Sequence, residues 1–202
     1  MSLKFSYTLF APFYNALVGR ATRRMRQDSL AQLGEVTAQR ILLAGVGTGL
    51  DLPYLPKTAA YVGVDITPAM LQRAQQQCPH DLQIEFHCGD VQKLPFAADS
   101  FDQIILHLIL AVVPQPTATL QEIQRVLKPG GRILIMDKFL RRGQSAVLRR
   151  LINPVLRHLA TSTTVVFEDV LAHCPSLHII SDVPAVAGGW FRRIVLRKAQ
   201  EN

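Results

Sequence analysis

An α/β domain with a mostly parallel sheet of seven strands, helices on both faces and a C-terminal antiparallel hairpin is the fold the sequence predicts. Three observations predict it. Apolar runs of four to eight residues alternate with helical patterns through the middle of the chain. The runs are rich in Ile, Leu and Val and bounded by Gly, Pro or Asp, as strands covered on both faces are. The length of 202 residues, with 49% apolar and 18% charged, suits one core and excludes disordered, collagen-like and coiled-coil classes.

The N-terminal segment, residues 1–39, reads as amphipathic and helical and carries Tyr7, Phe13 and Tyr14. Strands are expected at Arg40–Ala44, Tyr61–Val64, Gln83–Phe86, Phe101–Leu106 and Arg132–Met136. Thr67-Pro68 opens a helix, with Thr67 suited to capping the free amides and Pro68 to the first helical position. Leu120, Ile123, Val126 and Leu127 form a helical stripe that stops at Lys128-Pro129-Gly130-Gly131, read as a turn. Beyond residue 140, Leu148, Leu151, Ile152, Val155, Leu156 and Leu159 make a second stripe that Pro154 kinks or divides. Leu177–Val183 and Trp190–Leu196, joined through Gly188-Gly189, read as the closing hairpin, with Trp190 packed inside it.

Charge is unevenly placed. Residues 1–40 hold six basic and two acidic residues, residues 41–137 six and nine, and residues 138–202 ten and four, giving +4, −3 and +6 of the total +7. The positive excess lies in the flanks, where it serves as solvated surface or meets an anionic membrane, an acidic acceptor or nucleic acid. Cys78, Cys88 and Cys174 are too few and too irregularly spaced for a disulfide framework, which points to reduced thiols and a cytoplasmic protein. Neither residues 5–18 nor 104–113 reach the roughly 18 apolar residues of a spanning helix, and no targeting segment is read.

The motif that carries chemistry is Ala44-Gly45-Val46-Gly47-Thr48-Gly49, directly after the first strand. Its glycines permit tight curvature and close approach of a ligand, and a following helix is expected to aim free amides at a negative group. Leu50 stands where a dinucleotide fingerprint needs its last glycine, which argues against NAD. Asp65 ends the second strand, where an α/β sheet places an acid that accepts from ribose hydroxyls. Asp90 follows the third strand at the same carboxyl edge. Either acid alone is ordinary turn chemistry; three strand ends in order are a constellation.

With these stretches the sequence resembles the class I S-adenosylmethionine-dependent methyltransferases, in the branch that includes quinone-biosynthesis, phosphatidylethanolamine and some thiol methyltransferases. Gly63-Val64-Asp65-Ile66-Thr67-Pro68-Ala69-Met70-Leu71, Gly89-Asp90-Val91-Gln92-Lys93-Leu94-Pro95-Phe96, Asp99-Ser100-Phe101-Asp102 and Leu127-Lys128-Pro129-Gly130-Gly131-Arg132 complete the resemblance over roughly residues 40–138. It implies a Rossmann-like fold and S-adenosylmethionine as cofactor. It places Gly45, Val46, Gly47 and Gly49 on the methionine part, Asp51 on its amino group, Asp65 on the ribose and Asp90 with Val91 on the adenine edge. Ile66 and Met70, in the second matching stretch, join the cofactor set. The position two before Gly45, usually acidic in that family, is Leu43. The chain then divides into an N-terminal lid (1–39), a cofactor-binding core (40–138) and acceptor-side helices with the hairpin (139–202).

Methyl transfer from a sulfonium asks the protein to align an acceptor and exclude water, and no dedicated nucleophile is needed. His107, ending the fourth strand, is the candidate to orient the acceptor or take its proton, its alternative being a buried, hydrogen-bonded histidine. Tyr7, Tyr14 and Lys138 are the candidate acceptor contacts, with packing and a polar turn as the plainer accounts. Cys78, His80, His87 and Cys88 look faintly like metal ligands, but His87 and Cys88 are neighbours that point to opposite faces at a strand end, and no metal is expected. The expected acceptor is a small molecule or lipid, with peripheral contact to an anionic membrane through Arg23, Arg24 and Arg26. A nucleic-acid partner is not expected, since no added RNA-binding domain is visible. An inactive cofactor-binding scaffold and an RNA-modifying enzyme are the alternatives.

Overall fold

A computed structural model of the chain describes residues 22–140, 165–185 and 191–200. Seven strands form one sheet in the order β3-β2-β1-β4-β5-β7-β6. They are β1 (Arg40–Ala44), β2 (Ala60–Asp65), β3 (Ile84–Cys88), β4 (Phe101–His107), β5 (Leu127–Lys138), β6 (Leu177–Pro184) and β7 (Phe191–Lys198). The first five pair in parallel, whereas β7 inserts antiparallel between β5 and β6. The expected mixed sheet is present.

Alternation along each strand splits the core into two layers. Leu42, Ala44, Val62, Ile104, Ile133 and Ile135 face one side, where α3 (Pro116–Val126) supplies Leu120, Ile123 and Val126 and α4 (Phe167–Leu171) supplies Phe167 and Val170. Leu43, Tyr61, Ile105 and Leu134 face the other. There α2 (Pro68–Gln77) adds Leu71 and Ala74, and α1, helical over residues 22–30, adds Leu30. Helices thus cover both faces, and the carboxyl ends of β1 to β4 are left as the open edge. No helix among the described residues is long and apolar enough to cross a membrane.

Three expectations are corrected. The glycine loop runs into a single 3-10 turn, Leu52–Tyr54, because Pro53 and Pro56 withhold the amides a longer helix needs. Thr67 occupies the cap position of α2 without a side-chain capping bond; its amide donates to Asp65 Oδ1 at 2.9 Å, and its hydroxyl serves the same carboxylate, the stronger acceptor. Lys128–Gly131 is not a free turn but is drawn into β5, with Gly131 so close to the Asp102 carbonyl that a Cβ would stand 2.8 Å from it. The short α4 was not anticipated. Tyr7, Phe13, Tyr14, the 148–159 stripe and Trp190 lie outside the described residues.

Buried charge fixes the C-terminal part of the sheet. Arg192 of β7, 1% exposed, donates to Glu168 Oε1 of α4 at 2.8 Å and pairs with Asp182 of β6. Buried cations survive only when paired in this way.

Candidate functional site

The open edge of the sheet holds a cavity of about 580 Å³. Gly45, Val46, Gly47, Asp51, Asp65, Ile66, Met70, Asp90, Val91 and His107 all line it, so residues from four strand ends converge as the motif order implies. Gly49 and Lys138 do not line it.

The glycine loop is built by backbone geometry. Gly45, Gly47 and Gly49 all have positive φ, at 81°, 57° and 86°, a region that side chains with a Cβ rarely enter. Their surroundings differ. A Cβ on Gly49 would meet Leu52 Cδ1 at 2.8 Å and the Ala74 Cα at 3.1 Å, so this glycine lets α2 pack against the loop and faces away from the cavity. A Cβ on Gly47 meets nothing within 4 Å, because it projects into the cavity. The Gly45 and Val46 amides donate to the Val64 carbonyl, at 2.8 and 2.9 Å, and hold the loop to β2.

Asp65 secures the loop from the other side. Its Oδ2 accepts from the Gly47 amide at 2.9 Å and its Oδ1 from Thr67. Burial raises the carboxyl above its usual range, and these amide donors oppose the rise. The carboxylate also lines the cavity, where it is an acceptor for hydroxyl donors. Ile66 beside it is 49% exposed, an apolar side chain left open in the cavity wall. Asp90 accepts from the Gln92 amide at 2.9 Å and from the Gln92 side chain, and Gln92 Oε1 accepts in turn from the Gln115 amide at 3.0 Å. This carboxylate therefore also shapes its own turn.

At the other end of the cavity lies a buried polar network. His107 Nδ1 stands 3.0 Å from Asp51 Oδ1, and His107 Nε2 stands 2.9 Å from Ser29 Oγ. The carboxylate only accepts, which assigns the proton on Nδ1 and leaves Nε2 to accept from the serine hydroxyl in the neutral ring. Arg26 Nη1 donates to the same Asp51 Oδ1 at 2.8 Å, and Arg26 Nε donates to Thr22 Oγ1 at 3.1 Å. Burial opposes charge on Asp51, but His107 and Arg26 outweigh it and hold the carboxyl far below the usual carboxylate range. Asp51 Oδ2 takes no hydrogen bond among the described residues.

This network revises two sequence readings. Arg26 does not belong to a surface cluster with Arg23 and Arg24; those two are exposed, whereas the Arg26 side chain is 8% exposed and lines the cavity. His107 has both nitrogens engaged, so in this arrangement it positions Asp51 and α1. Lys138 Nζ lies 5.8 Å from the Phe191 ring centroid, a cation–π contact away from the cavity lining. Leu43, 2% exposed, is a core residue on β1 and contributes no polar group.

Sequence reasoning missed Arg26, Gln92 and the wall formed by Leu108, Ile109, Val112, Val113 and Pro114. The 22/26/29/30 spacing of Thr22, Arg26, Ser29 and Leu30 was the available signal for Arg26, since it places all four on one helix face. The wall begins at Leu108, held at φ 59° with its amide on the Met136 carbonyl at 2.8 Å. Asp137, 1% exposed, pins the wall from β5: Oδ2 accepts from the Ala111 amide at 2.9 Å and Oδ1 from the Lys138 amide at 2.7 Å.

Comparison with known proteins agrees with this architecture. A family profile described as a methyltransferase domain matches residues 42–135. A phosphatidylethanolamine N-methyltransferase of Cereibacter sphaeroides is 28% identical over 190 residues, covering 92% of both chains. A demethylmenaquinone methyltransferase of Renibacterium salmoninarum is 35% identical over 117 residues, 57% of this chain and 48% of that one. The chain thus spans about half the length of that quinone-modifying relative. Among solved structures, the cyclase SpnF superposes with a TM-score of 0.78 at 17% identity, covering 98% of this chain and 96% of that one. A SAM-dependent methyltransferase of Thermotoga maritima gives 0.70 at 17% identity, covering 97% and 100%. Residues 42–135 match a methyltransferase domain, and the seven-stranded mixed sheet that carries them has the Rossmann-like fold of these solved structures.

Proposed function

We propose that the protein transfers a methyl group from S-adenosylmethionine to an amphiphilic acceptor, first among candidates the amine of a phosphatidylethanolamine head group, in the cytoplasm at a membrane surface. The observation that carries the acceptor is the extent of the relationship to the Cereibacter enzyme, which covers 92% of both chains, including most of the basic flanks. The quinone-modifying relative matches only about half its own length, and its acceptor is the second reading.

The residues fit the cofactor. Asp65 would take the ribose hydroxyls, Ile66 and Val91 would offer apolar faces to the adenine, and the open space at Gly47 would leave room for the ligand. At the far end, Asp51 Oδ2 suits the ammonium of the methionine part and Arg26 its carboxylate, a zwitterion matched by a built-in ion pair. When bound, the cofactor supplies an activated sulfonium methyl. The protein's own work is then to bind, orient and exclude water: the Leu108–Pro114 wall keeps the site apolar, and His107 fixes Asp51.

The test is incubation of the purified chain with methyl-labelled S-adenosylmethionine and vesicles of phosphatidylethanolamine, a demethylated quinol or RNA, with products identified by mass spectrometry. Label in monomethyl phosphatidylethanolamine is the expected result. Label only in the quinol replaces the acceptor, and no label in any acceptor returns the scaffold reading.

A further inference from the structure

We propose that Arg132 and Arg197 form a binding site for a phosphate-class anion, at the edge of the sheet opposite the cavity, where the two arginines are direct register partners and neither has a carboxylate partner among the described residues. The strand register makes the site. Gln103 of β4 pairs with Arg132 of β5, Arg132 with Arg197 of β7, and Arg197 with His178 of β6. Residues directly opposite on neighbouring strands project from one face, so these four form a row across the sheet. His107, at the cavity, lies farther along β4 on that face, about 13 Å from Gln103 at roughly 3.3 Å per residue.

Every other described cation on β7 has a carboxylate partner. Arg192 meets Asp182 and Glu168, Arg193 meets Asp28, and Lys198 meets Asp99. Arg132 and Arg197 have none among the described residues, and Arg132 Nε is buried without a hydrogen-bond acceptor. The nearest neutral side chain on the row is Gln103, whose Oε1 is also buried without a hydrogen-bond partner. Gln103 Nε2 donates to the Leu33 carbonyl and to Gln39 Oε1, at 3.0 and 2.8 Å. The Arg132 guanidinium reaches Gly34, but the adjoining Glu35 turns its Oε1 onto Val36 and Thr37. Like charges directly opposite across a ladder repel, and burial together with Arg197 holds Arg132 below its ordinary range. An oxyanion between two planar forks would relieve the repulsion and take up the unused donors, and tetrahedral phosphate oxygens suit that geometry. The phosphate belongs either to a lipid head group or to a small soluble phosphate.

The experiment compares thermal unfolding in inorganic phosphate and in chloride at equal ionic strength. The wild type should gain stability saturably with phosphate. Arg197→Gln, at an exposed position, should unfold about 2–4 °C higher than wild type in chloride, because the repulsion is gone, and should not respond to phosphate. Arg132→Gln should likewise lose the response. A wild type that gains no more from phosphate than Arg197→Gln overturns the site. Vesicles of phosphatidylcholine with and without phosphatidic acid then identify the source: co-sedimentation lost in Arg197→Gln assigns a lipid phosphate, and a phosphate response without such sedimentation assigns a soluble one. Cofactor affinity is measured alongside and should be the same in wild type and Arg197→Gln, so this test is independent of the acceptor proposed above.

Discussion

Replacing Asp137 with Asn should flatten one component of the protein's pH-dependent stability between pH 5 and pH 7.5. The carboxyl is buried, accepts from the backbone amides of Ala111 and Lys138, and is pushed up from 3.8 to about 6, chiefly by burial, which these donors oppose. A carboxyl raised in the folded state binds its proton more tightly there than in the unfolded chain, so folding loses stability as pH rises from about 4 through 6. The whole penalty is about 3 kcal/mol at 1.36 kcal/mol per pKa unit. Roughly half has accrued by pH 5, which leaves on the order of 1 kcal/mol to appear between pH 5 and 7.5. Asn keeps the shape but turns an NH2 group toward one of the amide donors, a loss of about 1–3 kcal/mol at every pH. Urea unfolding of both proteins at the two pH values isolates the difference. The stability of Asp137→Asn relative to wild type should improve by on the order of 1 kcal/mol on going from pH 5 to 7.5. Parallel pH curves for the two proteins would refute the claim that this carboxyl is held protonated up to about pH 6.

Other substitutions separate binding from folding. Arg26→Met strips Asp51 of its buried partner and should cost about 3–5 kcal/mol in urea unfolding; Arg26→Met with Asp51→Leu should recover much of it, and an undisturbed single variant would deny the pair any structural role. Asp65→Ala should weaken binding of S-adenosylmethionine by roughly 1–3 kcal/mol in calorimetry, with unchanged affinity counting against the ribose assignment. Gly47→Val should fold and lose cofactor binding, because its side chain enters the cavity. Gly49→Ala should lose stability first, because its Cβ meets Leu52 and Ala74; equal thermal stability of the two variants would contradict that contrast.

Much of the sheet was legible because buried strands advertise themselves. Arg40–Ala44 was read with its observed limits, and the other runs differ from observation mainly at their ends, where pairing extends past the apolar residues. What sequence did not disclose is long-range chemistry. That Leu127–Lys138 is one strand follows from pairing to β4 and β7, which overrides the turn signal of Pro129-Gly130. In the same way Asp51 carries no mark of its partners, since Arg26 stands 25 residues before it and His107 56 after. Gly47 and Gly49 look alike in a motif and differ only in what surrounds them.

The network also explains how the site tolerates Leu43. A site for a zwitterion needs an anion near the glycine loop, and with β1 supplying an apolar side chain there, Asp51 is the carboxylate within the cavity wall nearest in sequence to Gly49. A carboxyl that deeply buried stays ionised only beside a cation. No cation of the core segment lines the cavity, and Arg26 arrives from α1, so α1 is part of the site and not merely a cover over it. This divides the N-terminal arginines by helix face: Arg26 serves the cavity, while Arg23 and Arg24 remain for the surface. Reversing all three charges would therefore confound membrane contact with collapse of the Asp51 environment. Arg23→Glu with Arg24→Glu is the informative pair: it should reduce sedimentation with acidic vesicles at low salt and leave cofactor affinity intact. Loss of cofactor affinity in that pair would show that the outer face of α1 also belongs to the site, and the division drawn here would fail.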